Sequence, residues 1–114
     1  MKPIIIIAGV PQSYTSATTK FLLDNGGFIS DDDMMGDPND TLDYNRFESK
    51  TLEDFLKKRK KFKKGDLTAF FDNLPNNKTI ILKLPFILQF INELDKFTER
   101  EIRLVYTMRN PQNI

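Results

Sequence analysis

The feature that most constrains the fold is an unbroken apolar run at residues 4–8, IIIIA, which leads directly into a glycine. A strand that is apolar on both faces is typical of the interior of a parallel sheet, where helices cover both sides. Two similar runs follow, TIILKL at residues 79–84 and IRLVYTM at residues 102–108, with helical patterns between them. This alternation predicts an α/β fold: a three-layer domain in which helices flank a small parallel sheet.

The first helix is expected over residues 15–25, because Gly26 and Gly27 follow it and glycine commonly ends a helix. Residues 28–48 are then expected to form a long polar loop. No apolar run approaches the ~18 residues of a membrane span, and the first run ends in a Gly-Pro turn, unlike a secretory signal. We therefore expect a cytoplasmic protein.

Three further helices are predicted from their start signals. Thr51 and Asp54 suit a capping box for the second helix, and Asp66 is expected to cap the third. Pro85 suits the first turn of a fourth helix that runs to about Phe97.

Composition limits the chemistry that the chain can perform. The 114 residues are enough for one domain with one core, and the net charge of +1 gives no reason to expect a nucleic acid or a membrane as partner. The chain has neither cysteine nor histidine, which excludes disulfides, thiolate zinc sites and the commonest general base. Any catalysis must use lysine, arginine, carboxylates, hydroxyls or backbone amides.

Charge is segregated along the chain, acidic over residues 31–43 and basic over residues 57–64. The tract SDDDMM predicts an exposed acidic loop, since adjacent aspartates without ligand spacing do not make a calcium loop. We interpret KKRKKFKK first as a solvated helix face with a buried Phe62. A contact for a polyanion or an acidic partner is the alternative.

The turn after the first run has the layout of a phosphate-binding loop. Backbone N–H groups and the positive end of the next helix converge there, and an anion binds at such a point. Against the pattern G-x-x-x-x-G-K-[ST], Gly9 and Ser16 match, whereas Tyr14 and Thr15 replace the second glycine and the lysine. Without that lysine we expect anion binding but not ordinary nucleotide hydrolysis. A simple strand–helix turn is the alternative.

Three segments, GVPQSYTSATTKFL, ILKLP and VYTMRNPQNI, follow one another in the order of similar segments in a known family. On these segments the chain resembles the sulfotransferase family in its bacterial and phage-type form. GVPQSYTSATTKFL is similar to the family's 5′-phosphosulfate loop, [P]-[KR]-S-G-T-[ST]. ILKLP at residues 81–85 is similar to a strand that ends in K-x-P, and VYTMRNPQNI at residues 105–114 to one that ends in R-[DN]-P. YNRFES at residues 44–49 resembles the stretch Y-E-[DN]-x-x-F.

The resemblance implies a P-loop-like domain that binds 3′-phosphoadenosine-5′-phosphosulfate or its desulfated product, without a metal. If active, it would transfer a sulfuryl group to a hydroxyl or amine. The residues that would surround the 5′ group are Gln12, Ser13, Tyr14, Thr15 and Ser16. Arg109 would hold the 3′-phosphate and Lys83 would stabilise charge on the bridging oxygen. Glu48 is the best-placed spare carboxylate for a general base.

The sequence also departs from the family pattern. Gln12 stands where the family has lysine or arginine, and Tyr14 stands where it has glycine. The acceptor-binding part has no counterpart, so we interpret residues 1–114 as the N-terminal portion of the fold in a degenerate or truncated member. A non-catalytic interaction module and a P-loop nucleotide kinase or NTPase relative are the alternatives. A small sheet leaves an open edge and apolar surface, which predicts a protein partner or self-association.

Overall fold

The computed structural model describes residues 1–9, 15–40, 46–58, 64–84, 87 and 91–108. Three strands form one sheet: β1 (Ile4–Gly9), β2 (Ile80–Lys83) and β3 (Ile102–Thr107). The strand order is β2-β1-β3, and both pairings are parallel. The protein therefore has the α/β fold with a small parallel sheet that its sequence predicts.

Four helices lie between the strands in the described residues: α1 (Thr15–Asp24), α2 (Lys50–Lys58), α3 (Lys64–Asp72) and α4 (Ile91–Leu94). The last ends earlier than the predicted Phe97, and its predicted first residue, Pro85, lies outside the described residues. In the described part of the chain, no helix is both long enough and apolar enough to cross a membrane.

Helix α1 ends where the sequence predicts. Gly26 has a φ of 100°, and the N–H of Gly27 donates to the carbonyl of Leu22 at 2.8 Å. This pairing satisfies a terminal carbonyl that the helix itself cannot. Gly27 also allows close packing, because a Cβ there would lie 2.7 Å from Cγ1 of Ile81 on β2.

The N-cap of α2 is Ser49, and the predicted capping box at Thr51 is wrong. The hydroxyl of Ser49 accepts a hydrogen bond from the N–H of Leu52 at 3.2 Å. Thr51 lies inside the helix, where its N–H and hydroxyl donate to the carboxylate of Asp33 at 2.9 and 2.6 Å. The carboxylate of Asp33, which lies in a loop distant in the sequence, thus accepts hydrogen bonds at the start of α2, where the sequence predicts a local capping box.

Helix α3 begins at Lys64, so Asp66 lies within its first turn and is not the cap. A carboxylate in the first turn still interacts favourably with the positive end of the helix. Apolar residues recur at helical spacing from this helix onward: Leu67, Phe71 and Leu74 are buried and Phe70 is half-buried.

The helices lie on both faces of the sheet, which makes three layers. The even-numbered residues of β1 and β2 join α2, α3 and α4 in the main core, whose members include Ile4, Ile6, Ala8, Leu52, Phe55, Leu67, Phe71, Ile80, Leu82 and Leu94. The odd-numbered face meets α1, since Lys83 reaches Ser16 there and Ile81 lies beside the glycine turn that follows α1.

The two edges of the sheet differ. Single parallel bridges from Phe28 and Glu48 cover β2. Among the described residues, β3 pairs only with β1. Leu104 and Tyr106 on β3 and the following Met108 are 41%, 42% and 70% exposed. This exposure is unusual because parallel strands are normally buried on both faces.

Candidate functional site

The three segments that the sequence assigned to ligand binding begin at one edge of the sheet. Ile7 pairs with Lys83, and Gly9 pairs with Thr107, so the carboxyl ends of all three strands meet. In open α/β sheets, ligands bind outside this edge. The ends of β1 at Gly9, of β2 at Lys83 and of β3 at Thr107 therefore lie at one edge of the sheet.

Lys83 is the centre of the described part of the site. Its side chain is only 1% exposed, and its ammonium donates to the hydroxyl of Ser16 at 2.8 Å and to the carbonyl of Arg46 at 2.6 Å. Burying an ammonium costs several kcal/mol unless hydrogen bonds compensate. Lys83 is therefore not a strand-end lysine whose ammonium reaches solvent.

Thr15 and Ser16 form the start of α1, as predicted for the end of the loop. Thr15 is 7% exposed, and its carbonyl accepts a hydrogen bond from the Thr19 hydroxyl at 2.7 Å. The first turn of α1 contains no acidic residue. The N–H groups of this turn and the Lys83 ammonium therefore place positive potential at the same edge, which favours an anion.

Glu48 lies beside Lys83. The two residues form a parallel bridge, and the N–H of Ser49 donates to the Lys83 carbonyl at 2.8 Å. On its other side, the carbonyl of Glu48 accepts the N–H of Met35 at 2.7 Å. Glu48 is 8% exposed. The backbone bridge brings the predicted base next to the predicted cation, in a segment that the sequence predicts to be a polar loop.

Arg46 is a component of this site that the sequence analysis missed. Its side chain is 8% exposed, and its guanidinium lies 4.8 Å from the centroid of the Phe47 ring. Its Nε is buried without a hydrogen-bond partner in the part of the chain that the structure describes. The segment YNRFES drew attention to this stretch, but no spacing rule marks a buried arginine there.

Phe47 adopts a φ of 67°, the left-handed region that bulky residues rarely occupy. Such a conformation costs on the order of 1–3 kcal/mol and persists only where the surroundings enforce it. Here it stands between the carbonyl that holds Lys83 and the backbone bridge of Glu48. The strained backbone at Phe47 therefore lies in the segment that connects Arg46 and Glu48 to Lys83.

Four of the predicted ligand-binding residues, Gln12, Ser13, Tyr14 and Arg109, lie outside the described residues. The described ranges contain no group of three or more acidic side chains placed to hold a metal ion. In the acidic tract, Asp31 and Asp32 are exposed as predicted. Asp33 is not: it is 8% exposed and accepts the Ser49 hydroxyl at 2.5 Å. Its role is to fix the start of α2.

Comparisons with family models, with curated proteins and with solved structures found no match to this chain. What can be said of its chemistry therefore depends on its own residues. They provide a buried ammonium, a hydroxyl at a helix N-terminus and a buried carboxylate at one sheet edge. This set can bind an anion and accept a proton.

Proposed function

We propose that the chain is a sulfotransferase-like protein that binds 3′-phosphoadenosine-5′-phosphosulfate, or its desulfated product, at the carboxyl edge of the sheet. The observation that carries this proposal is the 2.8 Å hydrogen bond between Lys83 and Ser16. It joins two of the segments that resemble the family, although they are far apart in the sequence. A buried cation beside a helix N-terminus suits an anionic group.

In this proposal, each part of the site binds a different group of the nucleotide. Backbone amides of the loop, with Ser13, Thr15 and Ser16, hold the 5′ group, and Arg109 holds the 3′-phosphate. The arginine contact provides selectivity, because ATP has no 3′-phosphate. Charge-assisted hydrogen bonds of this kind are among the stronger contacts that a protein makes.

In an active protein, the acceptor hydroxyl or amine forms the new bond to sulfur as the bond from sulfur to the bridging oxygen breaks. Lys83 stabilises the negative charge that grows on that oxygen. Glu48 accepts the proton that the acceptor loses. No metal is needed, because the fixed cations supply the electrostatic stabilisation.

A non-catalytic interaction module is the second candidate. The exposed apolar side chains of Leu104, Tyr106 and Met108 favour it, because contiguous apolar surface commonly marks a contact with another protein. Gln12 and Tyr14, which stand in place of family residues in the loop, also favour an interaction module. A P-loop kinase or NTPase relative has less support, since Thr15 replaces the lysine that such enzymes use.

A thermal-shift screen against adenosine 3′,5′-bisphosphate, ATP with Mg²⁺, and sulfate separates the three. The bisphosphate alone should stabilise a sulfotransferase-like protein well above the other two. Preferential stabilisation by ATP with Mg²⁺, together with hydrolysis, would instead identify an NTPase relative. No stabilisation by any of them supports the interaction module.

A further inference from the structure

Strand β3 forms a regular, exposed edge of the sheet. Its pairing with β1 continues without a bulge over residues 102–107, which contain neither lysine nor proline. The opposite edge, β2, is covered by parallel bridges from Phe28 and Glu48. Natural proteins usually interrupt an exposed edge with a lysine, a proline or a bulge, because its backbone groups pair readily with another chain. The edge at β3 has none of these features.

The backbone groups on the outer side of β3 belong to its even-numbered residues. The N–H of Ile4 donates to the carbonyl of Glu101 at 2.8 Å, so the odd-numbered residues direct their groups at β1. Successive residues of a strand direct these groups to opposite sides, so those of Ile102, Leu104 and Tyr106 face away from β1. A strand that adds to this edge would pair with these three residues.

The even-numbered side chains of this segment form an apolar row. Leu104, Tyr106 and Met108 are exposed, and Ile102 is partly buried against the main core. At ~3.3 Å per residue, the row is about 20 Å long. The β3 row therefore offers an apolar surface beside the outward-facing backbone groups of the same strand.

We propose that two copies of this chain associate by antiparallel pairing of their β3 strands, which joins two three-stranded sheets into one. A two-fold axis at Val105 brings the same surface of each copy together, so the strand must be complementary to itself. In this register, Leu104 lies opposite Tyr106 of the second copy, and Ile102 lies opposite its Met108. Each pair of Leu104 with Tyr106 exchanges two backbone hydrogen bonds.

Pattern and charge both select this register. An axis moved by one residue in either direction leaves one side chain of the β3 row without an opposing member of the row. An axis at Arg103 places two guanidinium groups opposite each other, and like charges in that position are destabilising. With the axis at Val105, Arg103 lies opposite Thr107 and keeps its 3.0 Å ion pair with Glu101. The net charge of +1 adds little repulsion between copies.

The dimer does not depend on nucleotide binding. Strand β1 lies between β3 and the Lys83 end of β2, and the dimer contact runs along the outer side of β3. One strand from each copy makes a small interface, so we expect a dissociation constant on the order of 100 µM.

The first test combines sedimentation with hydrogen exchange on the full chain, without nucleotide, at concentrations up to about 1 mM. Sedimentation should show a monomer–dimer equilibrium, and exchange at the amides of Leu104 and Tyr106 should slow as the dimer forms. A chain that stays monomeric would overturn the proposal. Slow exchange at these amides in a monomer would also overturn it, because another segment of the same chain would then cover β3.

A charge exchange at the two-fold axis tests the register. Val105→Lys and Val105→Glu each place like charges opposite each other, so each variant alone should dimerise at least about tenfold more weakly than wild type. An equimolar mixture should dimerise more tightly than either variant, because lysine then lies opposite glutamate. Phe21→Lys and Phe21→Glu, at an exposed position on α1, are the matched controls and should dimerise like wild type, alone or mixed. A mixture of the Val105 variants that is no tighter than either one would contradict an axis at Val105.

Discussion

The ammonium group of Lys83 lies 2.8 Å from the hydroxyl of Ser16, and this hydrogen bond connects residues 67 positions apart in the sequence. It joins the end of β2 to the first turn of α1 at the edge where all three strands end. The contact places a lysine ammonium beside the first turn of α1, where Thr15 stands at the position of the lysine in the phosphate-loop pattern. The lysine comes from the neighbouring strand.

Removing this hydrogen bond should lower stability measurably. Ser16→Ala takes away one acceptor of a buried ammonium, so we expect a loss of about 1–2 kcal/mol in the free energy of unfolding. Thr18→Ala is the matched control, since Thr18 is also partly buried on α1, and it should change stability by less than ~0.5 kcal/mol. Urea unfolding of the two variants checks this. Equal losses in the free energy of unfolding would mean that the Ser16 hydroxyl does not stabilise the folded protein.

The Asp33 carboxylate should contribute more than its exposed neighbours. It accepts hydrogen bonds from the Ser49 hydroxyl and from two groups of Thr51. Asp33→Ala leaves those donors without their charged acceptor, so we expect a loss of about 2–3 kcal/mol. Asp32→Ala, at an exposed position, should have little effect. A denaturant titration that gives both variants the same midpoint would show that Asp33 does not fix α2.

Two glycines should respond to alanine in opposite directions. Gly26 has a φ of 100° and open space around it, so Gly26→Ala should lose about 1 kcal/mol from backbone strain alone. Gly65 lies within α3 and also has open space, so Gly65→Ala should gain up to about 0.5–1 kcal/mol from helix propensity. Thermal melts of the pair test this. Stabilisation by Gly26→Ala would mean that Gly26 does not adopt the left-handed conformation after α1 in solution.

The exposed apolar face of β3 should mediate association. We expect sedimentation to show concentration-dependent self-association, or the face to bind another protein. Leu104→Lys with Met108→Lys should abolish it, because buried lysines are costly in an interface core. Phe21→Lys, which changes an exposed aromatic on α1, serves as the control. A wild-type chain that stays monomeric and binds no apolar dye at this face contradicts the prediction.

Much of the fold could be predicted because its signals are local. The apolar runs that became β1, β2 and β3, and the glycine that ends α1, are each legible within a few residues. The cap of α2, Ser49, is a local signal that lies two residues before the predicted Thr51. The contacts between Thr51 and Asp33 could not be predicted, because tertiary packing brings these residues together across 18 positions. Local pattern reasoning preferred a capping box that the structure does not use.

The candidate site, too, could be predicted only in part from the sequence. Lys83 could be singled out because it is the last residue of a buried strand and lies in a segment that resembles a family motif. The burial of Lys83 against Ser16 and the Arg46 carbonyl could not be predicted. The burial of Arg46 and the left-handed φ of Phe47 also follow from a backbone bridge between distant segments, and no sequence period encodes that bridge.

The central claim concerns which nucleotide the carboxyl edge prefers and why. Arg109→Ala removes a charge-assisted contact to the 3′-phosphate, which costs about 1.5–3 kcal/mol and corresponds to roughly tenfold to a hundredfold in affinity. ATP has no 3′-phosphate, so its affinity should not change in this variant. Gln12→Arg returns a cation beside the 5′ group and should tighten the bisphosphate.

Titration calorimetry of wild type, Arg109→Ala and Gln12→Arg with adenosine 3′,5′-bisphosphate and with ATP is the most direct measurement. Our account predicts that wild type prefers the bisphosphate, that Arg109→Ala loses this preference, and that Gln12→Arg increases it. Equal wild-type affinity for the two nucleotides, or a bisphosphate affinity unaffected by Arg109→Ala, would contradict it and leave a resemblance of fold alone.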